Sequence, residues 1–156
     1  RSPRGQIVHV QTSIVDKLPT STVTVVAESP EGSEDLNHGL ALHDGYLYAS
    51  SSTTVYRWAY TPSETSPPTV GDIETVIVNV SKGAGTTLGA PGGHTTRTLA
   101  LDDTGRLYVS VGSKENVDDD SFRSRIRRFE LPENTRNSTS AISRAITLPI
   151  EFETGE

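Results

Sequence analysis

Two stretches of this chain run in one frame. HGLALHDGYLYASS (38–51) and RTLALDDTGRLYVSVG (97–112) each read Leu-Ala-Leu, then an acidic turn with Gly, then Leu-Tyr and small residues. Leu40 answers Leu99 and Leu47 answers Leu107, a period of about 60 residues. Within each copy the apolar residues alternate or form short runs, and none recur at i, i+3, i+4. That pattern calls for strands and not helices. A repeated unit of strands cannot bury its apolar face alone, so the copies must stack.

The similarity extends past the shared frame. YLYASS is followed by TTVYRWAY (53–60), a Pro/Ser-rich loop TPSETSPPTVGD (61–72) and ETVIVNV (74–80). RLYVSV is followed by SRIRRFEL (124–131), the polar loop LPENTRNSTSAIS (131–143) and SRAITLPI (143–150). Each copy therefore predicts four short antiparallel strands bounded by Gly, Pro, Asn, Asp and Ser. HDG and DDTG form the hairpin turns between the first two strands. Four antiparallel strands at this spacing predict an all-β chain of β-propeller type. One blade covers 36–80 and another 95–150, and QIVHVQ and STVTVVAES within 1–30 read as pieces of an earlier blade. The whole 1–156 is thus expected to be part of a single propeller domain of about two and a half blades. A closed propeller has roughly 4–8, so a larger propeller or association with other chains is expected to complete it.

Composition narrows the function. The net charge of −6 offers no basic face for nucleic acid, and RSRIRR (123–128) reads as one charged face of a strand. No apolar run approaches the ~18 residues of a membrane span. With no Cys, no disulfide, thiolate metal site or Cys nucleophile can form. The chain also has no Met; a removed signal peptide, a proteolytic fragment or an incomplete chain would each account for that. Asn79-Val80-Ser81 and Asn137-Ser138-Thr139 are N-glycosylation acceptors if the chain enters a secretory route.

In a propeller the first strand of each blade lines the central channel, so the residues just before it ring one mouth. His94, Thr95, Thr96 and Arg97 hold that place in one copy, and Asn37 and His38 in the other. Two histidines and an arginine near one axial pocket form a polar candidate site. His94 has the intrinsic basicity of a general base, and the glycines before it would let a ligand approach; a histidine that only ties loops together is the alternative. Asn-His-Gly at 37–39 is also ordinary turn chemistry, and His43 falls in the hairpin turn. The carboxylates of NVDDDS (116–121) lack the spacing of an EF-hand loop and read as a solvated acidic loop. No phosphate-binding glycine loop, metalloprotease motif or GxSxG elbow is present.

GGHTTRTLALDDTGRLYVSVGS (92–113) followed by NVDDDSFRSRIRRFEL (116–131) resembles the fungal pyrroloquinoline quinone (PQQ)-dependent pyranose dehydrogenases. More broadly it resembles the L-sorbosone dehydrogenase and soluble glucose dehydrogenase group. LNHGLALHDGYLYASSSTTVYRW (36–58) is similar to the preceding blade of the fungal proteins, and SPRG (2–5) to the motif opening their first. The resemblance implies a six-bladed propeller with the quinone on its axis. It implies that His94 takes the hydroxyl proton of a sugar while hydride passes to the quinone, with Ca²⁺ as Lewis acid on the quinone carbonyl. Arg97 and Arg4 would meet the cofactor's carboxylates, and His38 is a further candidate cofactor contact. A secreted enzyme with a sugar substrate is implied, passing electrons to a cytochrome b-type haem domain or another acceptor. A metal-dependent lactonase and a non-catalytic binding propeller are the alternative readings.

Overall fold

The computed structural model describes residues 5–78, 93–117, 119 and 124–131. They are all-β. A long hairpin comes first, β1 (Gln6–Val15) and β2 (Leu18–Glu28). A four-stranded sheet follows in chain order: β3 (Leu40–His43), β4 (Tyr46–Ser50), β5 (Val55–Thr61) and β6 (Thr69–Ile77). Then come β7 (Leu99–Leu101), β8 (Arg106–Val111) and β9 (Arg125–Glu130), three strands of a third sheet. Every pairing is antiparallel.

Turn chemistry sets the registers. Asp44 and Gly45 both have positive φ (44° and 75°), the two-residue geometry whose twist matches the flanking strands. Asp16 and Lys17, at 52° and 66°, do the same for β1 and β2. In the second copy the turn is longer, and Asp102 organises it. Its Oδ1 accepts hydrogen bonds from the Thr104 hydroxyl (2.7 Å), the Thr104 N–H (2.9 Å) and the Arg106 N–H (3.0 Å). The Tyr108 hydroxyl donates to Oδ2 at 3.0 Å. These donors, the Thr104 hydroxyl foremost, hold the Asp102 carboxyl well below the usual carboxylate range.

The four-stranded sheet buries both faces, as the alternation requires. Tyr48, Val55 and Ile77 pack against Leu99, Leu107, Val109 and Phe129 of the third sheet. Ala49, Tyr56 and Trp58, on the opposite face, pack against Ala27 of the hairpin with Ile7 and Leu36 alongside. Cover on this second side is incomplete. Leu40 and Leu42 pair with Ala49 and Leu47 and so share their face, yet they are 54% and 60% exposed. Leu99, the repeat equivalent of Leu40, is 6% exposed because a whole sheet lies over it. The hairpin has two strands and does not reach the inner edge. Its own Val10, Ile14 and Val23 are exposed as well.

Residues 1–30 were expected to hold pieces of an earlier blade, and residues 6–28 form a two-stranded hairpin. Two details differ from expectation. The loop expected over 61–72 is shorter, because β6 starts at Thr69: Thr69 and Val70 pair with Thr61 and Tyr60, and this pairing overrides the turn-forming bias of Pro-Pro-Thr-Val-Gly-Asp. His43 is the half-buried last residue of β3, paired with Tyr46, and the turn itself is Asp44-Gly45. SRAITLPI, the expected fourth strand of the second copy, lies outside the described residues.

Candidate functional site

The segment 93–97 enters β7 across two neighbours at once. Gly93 has a φ of +95°, and a Cβ there would sit 2.1 Å from the Lys114 carbonyl oxygen. A Cβ on Gly112 would sit 2.6 Å from the His94 Cβ. Only glycine at both positions lets residues 93–94 lie flat against 112–114. The His94 N–H then donates to the Ser113 carbonyl at 3.2 Å. Its ring follows, with Nδ1 3.0 Å from the same carbonyl oxygen and 2.9 Å from the Ser113 hydroxyl. His94 is exposed, so a fixed imidazole stands at the protein surface.

Three residues on, Arg97 is 0% exposed. Its Nε donates to the Ser52 carbonyl at 3.0 Å, and its Nη1 to the Thr96 (3.0 Å) and His94 (3.2 Å) carbonyls. The guanidinium thus joins the exit of the first copy's hairpin to the entry of the second copy. Burial pulls it below the ordinary arginine value, opposed by the charge of Glu34. Glu34 Oε2 accepts from the hydroxyls of Ser52 (2.8 Å) and Thr53 (3.0 Å). Arg97 Nη2 is buried and has no hydrogen-bond partner among the described residues.

Asn37 and His38 close the corner. Asn37 is buried; its N–H donates to the Ser50 carbonyl at 2.6 Å and its Nδ2 to the Thr95 hydroxyl at 3.4 Å. His38 adopts a φ of 70°, is exposed, and its Nδ1 lies 3.4 Å from the Arg97 carbonyl. The fold therefore brings His94, Arg97 and His38 together, which sequence reasoning proposed. Arg4, Asn79 and Asn137 lie outside the described residues. Ser113, Gly112, Ser52 and Glu34 were not singled out from sequence, though the Gly-Ser after RLYVSV sits at a fixed place in the repeat frame. Among the described residues no three His, Asp or Glu gather as a metal site.

This corner offers two chemical resources: an exposed imidazole held by its Nδ1 edge, and a buried cation with one unused nitrogen. Comparison with known proteins puts it in context. The sequence profile of a family described as TrAA12-like matches residues 5–145. Among solved structures, the holo form of the PQQ domain of pyranose dehydrogenase from Coprinopsis cinerea is similar. Identity is 25% over 72% of this chain and 27% of that one, with a TM-score of 0.51. A Trichoderma reesei carbohydrate-active enzyme of family AA12 (an iodide structure) is 27% identical over 80% of this chain and 29% of that one, with a TM-score of 0.47. The chain thus spans less than a third of either protein's length. A search of curated protein sequences finds no significant match.

Proposed function

The chain belongs to the TrAA12-like family, and on that premise we propose that it forms part of a PQQ-dependent sugar dehydrogenase in which His94 is the general base. Its fold is all-β and of β-propeller type: one four-stranded blade, three described strands of the next and a two-stranded hairpin. The observation that carries the reading is the corner itself. An exposed imidazole pinned by Ser113 stands three residues from a buried arginine, in a chain similar to a PQQ domain.

The residues present suit an anionic quinone in part. A carboxylate prefers the full fork of a guanidinium. Nε and Nη1 of Arg97 are committed to carbonyl oxygens and the side chain is fully buried, so no fork faces a cofactor carboxylate and Arg97 would contribute its positive charge from beneath the surface. His38 would border the same site, and Arg4 would add a second cation. When bound, the quinone would supply the hydride acceptor, and Ca²⁺ on its carbonyl a Lewis acid. The chain's own task is to hold the imidazole still, so that it takes a sugar hydroxyl proton as the carbon is oxidised. Electron delivery to a cytochrome b-type haem domain or another acceptor, a secreted location and glycans on Asn79 and Asn137 complete the proposal.

The test uses the protein carrying this chain, reconstituted with PQQ and Ca²⁺, on a panel of aldoses and pyranoses with an artificial electron acceptor. Quinone-dependent sugar oxidation is expected. His94→Ala should lower kcat by about 10²–10⁴-fold with quinone binding retained. Absence of quinone-dependent oxidation, or full activity in His94→Ala, refutes the proposal.

A further inference from the structure

We infer that Ser113 is a positioning residue that holds His94 in the tautomer with its proton on Nδ1, leaving the Nε2 lone pair as the base. The inference deepens the reading of His94 above and rests on it. It starts from the two partners at Nδ1, the Ser113 carbonyl oxygen at 3.0 Å and the Ser113 hydroxyl at 2.9 Å. A hydroxyl can donate or accept, so by itself it is neutral between tautomers. A carbonyl oxygen only accepts. Two electron pairs facing each other at 3.0 Å would repel, so this contact is favourable only when Nδ1 bears the proton. That proton is then shared between the carbonyl and hydroxyl oxygens, and the hydroxyl turns its own hydrogen away.

The backbone makes this arrangement hard to escape. The His94 main-chain N–H donates to the same carbonyl at 3.2 Å, so main chain and ring of one residue converge on one oxygen. The close approach at Gly112 allows the docking, because a Cβ there would overlap His94. No described residue hydrogen-bonds Nε2. In a neutral imidazole with Nδ1 protonated, Nε2 carries the free electron pair, and the partner of one nitrogen decides which nitrogen does chemistry. The same contacts persist once Nε2 has taken a proton, so no rearrangement is needed between the two states of the base.

The inference is tested on the protein carrying this chain, labelled with ¹⁵N in its histidine rings. The His94 resonances are assigned by their loss in His94→Gln. At a pH where the ring is neutral, the proton should reside on Nδ1. Ser113→Ala leaves the carbonyl that decides the tautomer and removes the hydroxyl, so the proton should stay on Nδ1 while the ring is held by one contact fewer; kcat should fall about three- to tenfold, with KM and the urea midpoint unchanged. Ser113→Thr, which keeps the hydroxyl, should restore kcat. A wild-type ring protonated on Nε2 overturns the inference, as does a Ser113→Ala protein whose ring proton has moved to Nε2 or whose kcat equals that of wild type. Full activity in His94→Ala overturns instead the general-base reading beneath it, and the ring spectrum tells the two failures apart.

Discussion

Arg97→Met isolates what the buried guanidinium does for the fold. Methionine keeps an unbranched apolar stem of similar reach and removes three hydrogen bonds from a cation, to the carbonyls of Ser52, His94 and Thr96. Hydrogen bonds to charged groups contribute about 1.5–3 kcal/mol each, so the gross loss over three is about 4.5–9 kcal/mol. Two effects offset it. Among the described residues Nη2 is buried without a partner, and relieving that recovers about 1–3 kcal/mol. Ser52 and Thr96 are not buried, so water can replace the cation at part of their carbonyl surface. A net destabilisation of about 2–4 kcal/mol is expected, read as a lower urea midpoint at unchanged slope. Arg97→Lys is the control. It retains the charge, yet a single ammonium cannot reach three carbonyls with the geometry of a fork, so it should recover less than half of the loss. A Met variant within about 0.5 kcal/mol of wild type, the range of an ordinary surface substitution, would refute the clamp. A Lys variant equal to wild type would show that charge and not fork geometry matters.

Two further perturbations test the packing and the turn. Leu99→Ala empties a site sealed between two sheets and should cost about 2–4 kcal/mol, whereas Leu40→Ala, its half-exposed repeat equivalent, should cost under about 1 kcal/mol; equal urea midpoints would contradict the described cover. Asp102 is held below its unfolded pKa, so its stabilising contribution is complete above the ordinary carboxylate range and is lost as pH falls through the folded value. Urea midpoints taken from about pH 6 down to about pH 2 should therefore fall more steeply for wild type than for Asp102→Asn, and parallel curves would rule the turn contacts out as the cause.

Strand identity was readable because one signal dominates it. Leu-Ala-Leu and Leu-Tyr alternate in both copies, and Asp44-Gly45 can hardly be anything but a hairpin turn. Where two signals compete, reading fails. Thr69 to Asp72 follow two prolines and include a glycine, and only the partners Tyr60 and Thr61 across the sheet make them a strand. The burial of Arg97 is hidden for another reason. An arginine between two threonines reads as solvent-facing, and its acceptors include Ser52, 45 residues away. His94 could be singled out as a candidate by type and place. Ser113 could not, because serine is common and its role exists only once residues 93–94 lie against 112–114.

The repeat nevertheless accounts for why a site forms at this corner. The inner strands are short, four residues in β3 and three in β7, so the segment entering each copy meets the segment leaving its second strand. In the first copy Glu34 docks there on the hydroxyls of Ser52 and Thr53. In the second copy His94 docks there on Ser113. The mechanical role is the same, a polar side chain sealing an entry against an exit. The chemistry differs: a carboxylate spends its acceptor on two hydroxyls, whereas an imidazole satisfied at one nitrogen keeps the other free. Arg97 then reaches from the second entry back to Ser52 at the first exit, placing a cation between the two docks. On the proposed reading, a corner that the repeat needs for structure would become available for chemistry because an imidazole stands where the first copy has a carboxylate.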